Sequence, residues 1–291
     1  MTTQDAALAP TVAPLPSHAT ARTDVRVRAR RGLTIYFGVV LVLTAVLDAL
    51  IISAGKDLDS LALLTMVVPT IAAVSARLAL HEGFRDVSFR IGGRRGWQVI
   101  GLTLLFPLAV GSVAYGIAWM TGLAQFVPLS VPDVAVPFLV LTLPSFILVS
   151  GEEIGWRGYM LTRLIHAGVP HPIFVSGVIW ALWHFPLIAA GIYAAGPYPL
   201  VSAALAVVAI TASGIVHARV RLATGSVWAA VALHLAWNRI IQGGFDAATS
   251  GPASMLWVGE TGILTALVLV AGAYLCSRGT WTVLDRPAVS A

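Results

Sequence analysis

The sequence has 291 residues, of which 58% are hydrophobic and 11% charged, and its formal net charge is +5. Soluble domains carry about 25% charged residues, so this composition excludes an ordinary soluble enzyme and predicts an all-α, polytopic membrane helix bundle. The basic balance would suit a nucleic-acid partner in a soluble protein, but the positive-inside rule explains it here without one. The single cysteine, Cys276, excludes an intrachain disulfide and any Cys-based metal site.

The apolar residues divide the chain into three sections. We expect a disordered basic tail at 1–30, a transmembrane bundle at 31–278 and a short cytoplasmic tail at 279–291. Apolar runs of spanning length recur within the bundle and predict about eight transmembrane helices. These runs are 33–54, 60–80, 97–120, 134–152, 172–190, 199–217, 225–241 and 257–276. The fourth run is expected to continue as a helix to about His166.

The basic residues predict the orientation of these spans. If the N-terminus is inside, every arginine and lysine except Lys56 and Arg239 falls in an inside segment. We therefore expect an integral protein of the cell membrane with both termini in the cytoplasm and the lipid bilayer as its surroundings.

A charged motif, Ser150-Gly151-Glu152-Glu153-Ile154-Gly155-Trp156-Arg157, ends the fourth apolar run. Charged side chains at a membrane helix are costly and by default mark a functional site. Glu153 and Arg157 are four residues apart on a helix and can pair. Glu152 is rotated by about 100° from Glu153 and is left to face another element.

Two later spans carry polar side chains. His184 lies about twelve residues into the fifth span, and Trp180 shares its helix face. In the seventh span His234 and Asn238 are four residues apart and present two polar groups on one face. Each histidine alone suits a buried structural hydrogen bond. Together with Glu152 they offer a general base, a group to orient water and donors for an oxyanion.

Three further polar residues receive a simpler interpretation. Asp48 and Glu260 lie near the outer ends of the first and eighth spans, where we expect them at the membrane interface. His217 closes the sixth span beside Arg219, and a solvated helix end is the expected environment.

The three motifs together resemble the CPBP family, which comprises CAAX proteases and bacteriocin-processing or immunity proteins. Its pattern has a glutamate pair with an arginine (Glu152, Glu153 and Arg157), an aromatic residue four before a histidine, and a histidine four before an asparagine. The resemblance covers about residues 140–240. It departs from the family at Trp180, where the family has phenylalanine, which puts the shape of the substrate site in question.

The resemblance implies an intramembrane endopeptidase that acts on a membrane-associated or prenylated, CAAX-like protein or peptide. Glu152 would be the general base, and His184 would help to position and polarise the water. His234 and Asn238 would form the oxyanion site. The motif helix would be fixed by the pair of Glu153 and Arg157.

The cofactor and the function remain open at this stage. Glu152, His184 and His234 could ligate zinc as a two-histidine, one-carboxylate set, but no His-Glu-x-x-His helix is present. We favour metal-free catalysis. If Glu152 were a zinc ligand, Glu153 would have to serve as the base, and it would then be drawn away from Arg157. One alternative is a non-catalytic immunity or partner-binding protein of the same family. The other is a transporter, although the chain shows no paired halves with matching broken helices.

Overall fold

The computed structural model describes residues 18–55 and 61–278 and confirms an all-α bundle. Its α-helices are α1 (His18–Ala54), α2 (Ala62–Thr65), α3 (Val68–Ala79), α4 (Gly93–Thr121), α5 (Val131–Glu153), α6 (Leu161–His166), α7 (Pro172–Ala189), α8 (Pro199–Thr224), α9 (Val227–Trp237), α10 (Ser254–Trp257) and α11 (Ile263–Ser277). A π-helical segment, π1 (Ile154–Met160), joins α5 to α6, and a second, π2 (Asn238–Asp246), extends α9. A short antiparallel pair joins β1 (Gln125–Phe126) to β2 (Thr249–Ser250).

Several helices have the length and composition to cross a membrane. Among the described residues five stretches qualify, namely Thr23–Ala54, Gly93–Thr121, Val131–His166, Pro172–Ala189 and Pro199–Thr224. Leu63–Ala79 and Ile263–Ser277 are shorter apolar helices. The chain is an integral membrane protein, and the fourth apolar run continues to His166 as predicted. The count of eight spans and the orientation of the termini stay predictions.

The start of α1 differs from the expected tail boundary. The helix begins at His18, so residues 18–30, which were assigned to the disordered tail, are helical. No proline or glycine interrupts 18–31, and the alanine and arginine residues there favour helix. The rest of the tail at 1–17 and the predicted tail at 279–291 lie outside the described residues.

Helix α8 is the centre of the bundle, since α7, α9 and α11 all pack against it. Its crossing with α7 is close because both helices carry glycine there. A Cβ added to Gly177 would come within 2.7 Å of the Thr211 carbonyl oxygen, and one added to Gly214 within 2.7 Å of the Gly177 Cα. This close approach places α7 and its histidine directly against the α8 backbone.

A cluster of charged residues holds the loop between α3 and α4. We call it the loop ion cluster, formed by Arg77, Glu82, Asp86 and Arg163. Arg163 on α6 contacts Glu82 and Asp86 at 2.6 Å each, and Arg77 on α3 contacts Asp86 at 2.7 Å. The cluster therefore anchors the far end of the Val131–His166 helix to the preceding loop.

Candidate active site

The glutamate pair lies where α5 passes into π1, and the two side chains are only 2% and 0% exposed. Ser130 and Asp133 form a capping box that begins α5, which fixes the start of the helix that carries the pair. Because successive helical residues point about 100° apart, Glu152 and Glu153 meet different neighbours. The pair therefore divides into two environments.

Glu153 belongs to a buried polar core. Its Oε1 accepts from Nη1 of Arg157 at 2.9 Å and lies 2.9 Å from Nδ1 of His234. The predicted pairing of Glu153 with Arg157 is thus present. The Arg157 guanidinium also lies over the ring of Trp180, 4.0 Å from its centroid. Cation–π contact and carboxylate pairing together compensate a charge that is wholly removed from water.

Glu152 turns toward α7 instead. Its Oε2 accepts a hydrogen bond of 2.9 Å from the indole Nε1 of Trp180. The same indole touches the rings of three histidines edge-on, with centroid distances of 5.5 Å to His184, 5.2 Å to His217 and 5.4 Å to His234. Trp180 is therefore the residue that joins the glutamate to the histidines. A phenylalanine, the family's residue at this position, could not donate the bond to Glu152.

The hydrogen-bond partners of the histidines assign their tautomers. Nδ1 of His184 lies 2.9 Å from the Trp180 carbonyl oxygen, which can only accept, so Nδ1 carries the proton. The Nδ1 of His234 faces the Glu153 carboxylate and carries a proton for the same reason. In each ring Nε2 is then the nitrogen left for other partners.

The predicted site residues share one cavity. Glu152, His184, His234 and Asn238 all line a space of about 190 Å³ between α5, α7 and α9. Three sequence-distant helices thus bring together the carboxylate, the two imidazoles and the amide that the motifs singled out. The arrangement holds a base, a water-orienting group and hydrogen-bond donors around a volume large enough for several waters.

Two acidic residues were assigned wrongly to the membrane interface. Asp48 is 6% exposed, and both Asp48 and Glu260 line the cavity. Glu260 accepts hydrogen bonds from Tyr193 and Gln242. A second cavity of about 500 Å³ shares Tyr193, Gln242 and Glu260 with the first. This trio therefore forms a polar partition between the two spaces. Gln242 lies in π2, and Tyr193 and Glu260 lie in loops whose approach the helix pattern does not reveal.

His217 was also placed wrongly at a solvated helix end. The side chain is 2% exposed, and its ring lies 5.7 Å from that of His234. Its Nδ1 faces the Ser213 carbonyl oxygen at 2.8 Å, and its Nε2 is buried without a hydrogen-bond partner among the described residues. No residue type in the sequence announces this burial, because the acceptor is a backbone carbonyl oxygen, which any residue one turn earlier would supply.

The closest set of metal donors differs from the predicted one. Among the described residues, Glu153, His217 and His234 hold ligand atoms within 4.8 Å of one another. The predicted set of Glu152, His184 and His234 shares a cavity wall but is not grouped in this way. A small cavity of about 10 Å³ beside His217 and His234 has room for a single water or ion. All three grouped residues are buried, and they are one fewer than the four protein ligands of a structural zinc site.

The fold and the cavity define a polytopic membrane protein with a polar site buried between its helices. Residues 132–240 match the family model described as "Type II CAAX prenyl endopeptidase Rce1-like". The match contains all three motifs and confirms the resemblance to CPBP intramembrane proteases, although it spans less than half of the 291 residues. The family supports CAAX-type intramembrane endopeptidase activity in general. Comparison with curated proteins gave no significant match.

Proposed function

We propose that the chain is an intramembrane endopeptidase that hydrolyses a peptide bond in a membrane-associated, CAAX-type substrate. The observation that carries the proposal is the single cavity lined by Glu152, His184, His234 and Asn238, within the segment that matches the endopeptidase family. A CAAX substrate is tethered to the membrane by a lipid on its cysteine, which suits a protein whose cavity opens between spanning helices.

The first step is activation of water. Glu152 takes a proton from a water in the cavity, and Nε2 of His184 accepts the second O–H and fixes the direction of attack. The water oxygen bonds to the scissile carbonyl carbon and forms a tetrahedral intermediate. Glu152 then returns its proton to the leaving amine as the C–N bond breaks, so that the base is restored.

The second step is stabilisation of the oxyanion. The amide of Asn238 can donate to the oxygen, and His234 can donate from Nε2 when its ring is doubly protonated. Glu153 is the counter-ion of that state, since its Oε1 already faces Nδ1 of His234 at 2.9 Å. Glu153 and Arg157 accordingly act through His234 as positioning residues and touch no substrate.

We propose that hydrolysis does not need a metal. Glu152 is bound to a neutral indole and faces the cavity, which leaves it free to accept a proton. A cation at Glu153 would lie beside the Arg157 guanidinium, 2.9 Å from the same carboxylate, and the two positive charges would repel. Metal analysis of the purified protein tests this point. Stoichiometric zinc that a chelator removes together with activity would overturn it.

The function is tested with purified full-length protein in proteoliposomes and a fluorogenic farnesylated CAAX peptide. Glu152→Gln keeps the shape of the side chain but removes the base, and we expect kcat to fall by about 100- to 10,000-fold. His184→Ala and His234→Ala should each lose a comparable part of the rate. Asp24→Asn is the matched control, because it makes the same carboxylate-to-amide change on an exposed part of α1. Cleavage by Glu152→Gln at the rate of Asp24→Asn would end the proposal.

A further inference from the structure

The cavity holds an arginine to which the mechanism gives no role. Arg239 follows Asn238 and lines the same space as Glu152 and His184. Helix α9 and π2 run without a break from Val227 to Asp246, and Arg239 lies in the second half of this helix. A charged side chain that lines a cavity between the helices of a membrane protein is a candidate functional residue.

The guanidinium of Arg239 has no partner within the described part of the chain. Its Nε is buried without a hydrogen bond, and no carboxylate lies within ion-pair distance. The nearby Glu260 already accepts from Tyr193 and Gln242. Among the described residues, Arg239 is the one lysine or arginine in the cavity lining, beside the carboxyl residues Asp48, Glu152 and Glu260. An anionic group that enters the cavity would therefore pair with Arg239.

The π-helical geometry affects which residues beyond Asn238 line this space. A π-helix bonds each residue to the fifth one along and so turns less per residue than an α-helix. Since π2 begins at Asn238, the change in direction is small at Arg239 and larger at Gln242, which lines the cavity as well.

We propose that Arg239 binds the free C-terminal carboxylate of the peptide substrate. The inference rests on the proposed function, because a CAAX box ends at the chain terminus. Cleavage after its cysteine leaves three residues, which span at most about 10 Å when extended. Arg239 follows the proposed oxyanion donor Asn238, whose Cα is about 3.8 Å away, and both residues line the cavity.

This subsite would select substrates that have a free C-terminal carboxylate. A guanidinium can hold a carboxylate through two parallel N–H bonds, which a neutral amide cannot accept with the same strength. The site would therefore favour peptides that end a few residues beyond the scissile bond. Internal segments of membrane proteins, which offer no carboxylate at that distance, would be poor substrates.

The test compares two farnesylated peptides that differ only at the C-terminus, one a free acid and the other a carboxamide. Full-length protein in proteoliposomes should cleave the acid with a kcat/KM about 10- to 100-fold higher. In Arg239→Gln this ratio should fall to about one, and Arg239→Lys should lie between. Arg219→Gln is the matched control, because Arg219 is also half-buried but lies on α8 outside the cavity lining. It should keep the ratio of the wild type.

The outcomes separate the subsite from the proposed function. Equal cleavage of both peptides by the wild type, or a ratio that survives in Arg239→Gln, overturns the carboxylate subsite and leaves the endopeptidase intact. An equal loss on both peptides in Arg239→Gln also overturns it, since that result shows a general electrostatic role. Failure of the wild type to cleave either peptide contradicts the endopeptidase itself and removes the basis of the subsite.

Discussion

In the loop ion cluster every charged side chain is ion-paired, whereas Glu152 and Arg239 at the cavity form no ion pair within the described residues. Asp86 contacts two guanidinium groups, and Arg163 contacts two carboxylates. Glu152, in contrast, accepts from one neutral indole, and no ion pair reaches Arg239 in the residues that the structure describes. The same kinds of side chain thus serve two purposes. Ion-paired charges fix the positions of helices, and charges without an ion pair are left for water and substrate.

The glutamate pair shows this contrast between adjacent residues. Glu153 is ion-paired with Arg157 and His234 through Oε1, whereas Glu152 accepts from a neutral indole. The contrast teaches that neighbouring carboxylates of similar burial need not have similar effects when they are removed. Three changes can break or sharpen it.

The largest effect is expected from Glu153→Ala. This change leaves Arg157 as a buried charge without its carboxylate, and loss of one member of a buried pair costs about 3 to 5 kcal/mol. Glu152→Ala removes only the acceptor of the Trp180 indole and should cost about 1 to 2 kcal/mol. Unfolding of both variants in the same detergent, followed by tryptophan fluorescence, checks the difference. Equal losses of stability would remove the distinction between the two glutamates.

A smaller effect is expected from Trp180→Phe. The ring that packs against Arg157 and the histidines is kept, but the N–H that holds Glu152 is lost. We expect kcat to fall about tenfold with KM nearly unchanged, because the base is less well oriented. Trp228→Phe is the control, since its indole donates to the Phe89 carbonyl oxygen away from the cavity. The same kcat in both variants would show that the bond to Glu152 has no part in catalysis.

The smallest effect is expected from Asp86→Asn in the loop ion cluster, and it concerns how stability depends on pH. Burial would raise the pKa of Asp86, but Arg163 and Arg77 outweigh it and hold that pKa below its usual range. A carboxyl with a lowered pKa stabilises the fold above its unfolded pKa of about 3.9, and the contribution is lost as pH falls through the folded value. Asp86→Asn should therefore be less stable at neutral pH by about 1 kcal/mol.

The pH dependence of unfolding provides the measurement. Stability of the wild type should decline more steeply than that of Asp86→Asn below about pH 5, and the two curves should converge at lower pH. Parallel curves down to about pH 3 would show that Asp86 does not lose an interaction on protonation.

Regular helix geometry was enough to predict part of this site. Four-residue spacing placed Arg157 beside Glu153 and put His234 and Asn238 on one face, and the structure has both arrangements. The continuation of the fourth span to His166 followed from the same periodicity. These features depend on contacts within single helices, which the sequence encodes directly.

The features that were missed depend on contacts between helices. That His234 faces Glu153 rather than Glu152 is decided by how α9 packs against α5. The burial of His217 follows from the close crossing of α7 and α8, and the hydrogen bond from Trp180 depends on the same packing. The direction of Gln242 depends on a π-helical turn, whose i to i+5 bonding no residue pattern in the motif announces.

The two π-helical segments also make the site sensitive to chain length. A π-helical turn holds one residue more than the α-helical turn that it replaces. Deletion of one residue within π1 or π2 would restore α-helical spacing, and the residues beyond the segment would keep their direction. Side chains inside the segment, among them Arg157 in π1 and Arg239 in π2, would change direction even if every motif letter were unchanged. In relatives of this chain, the gap positions in these segments are therefore as informative as the identities of the residues.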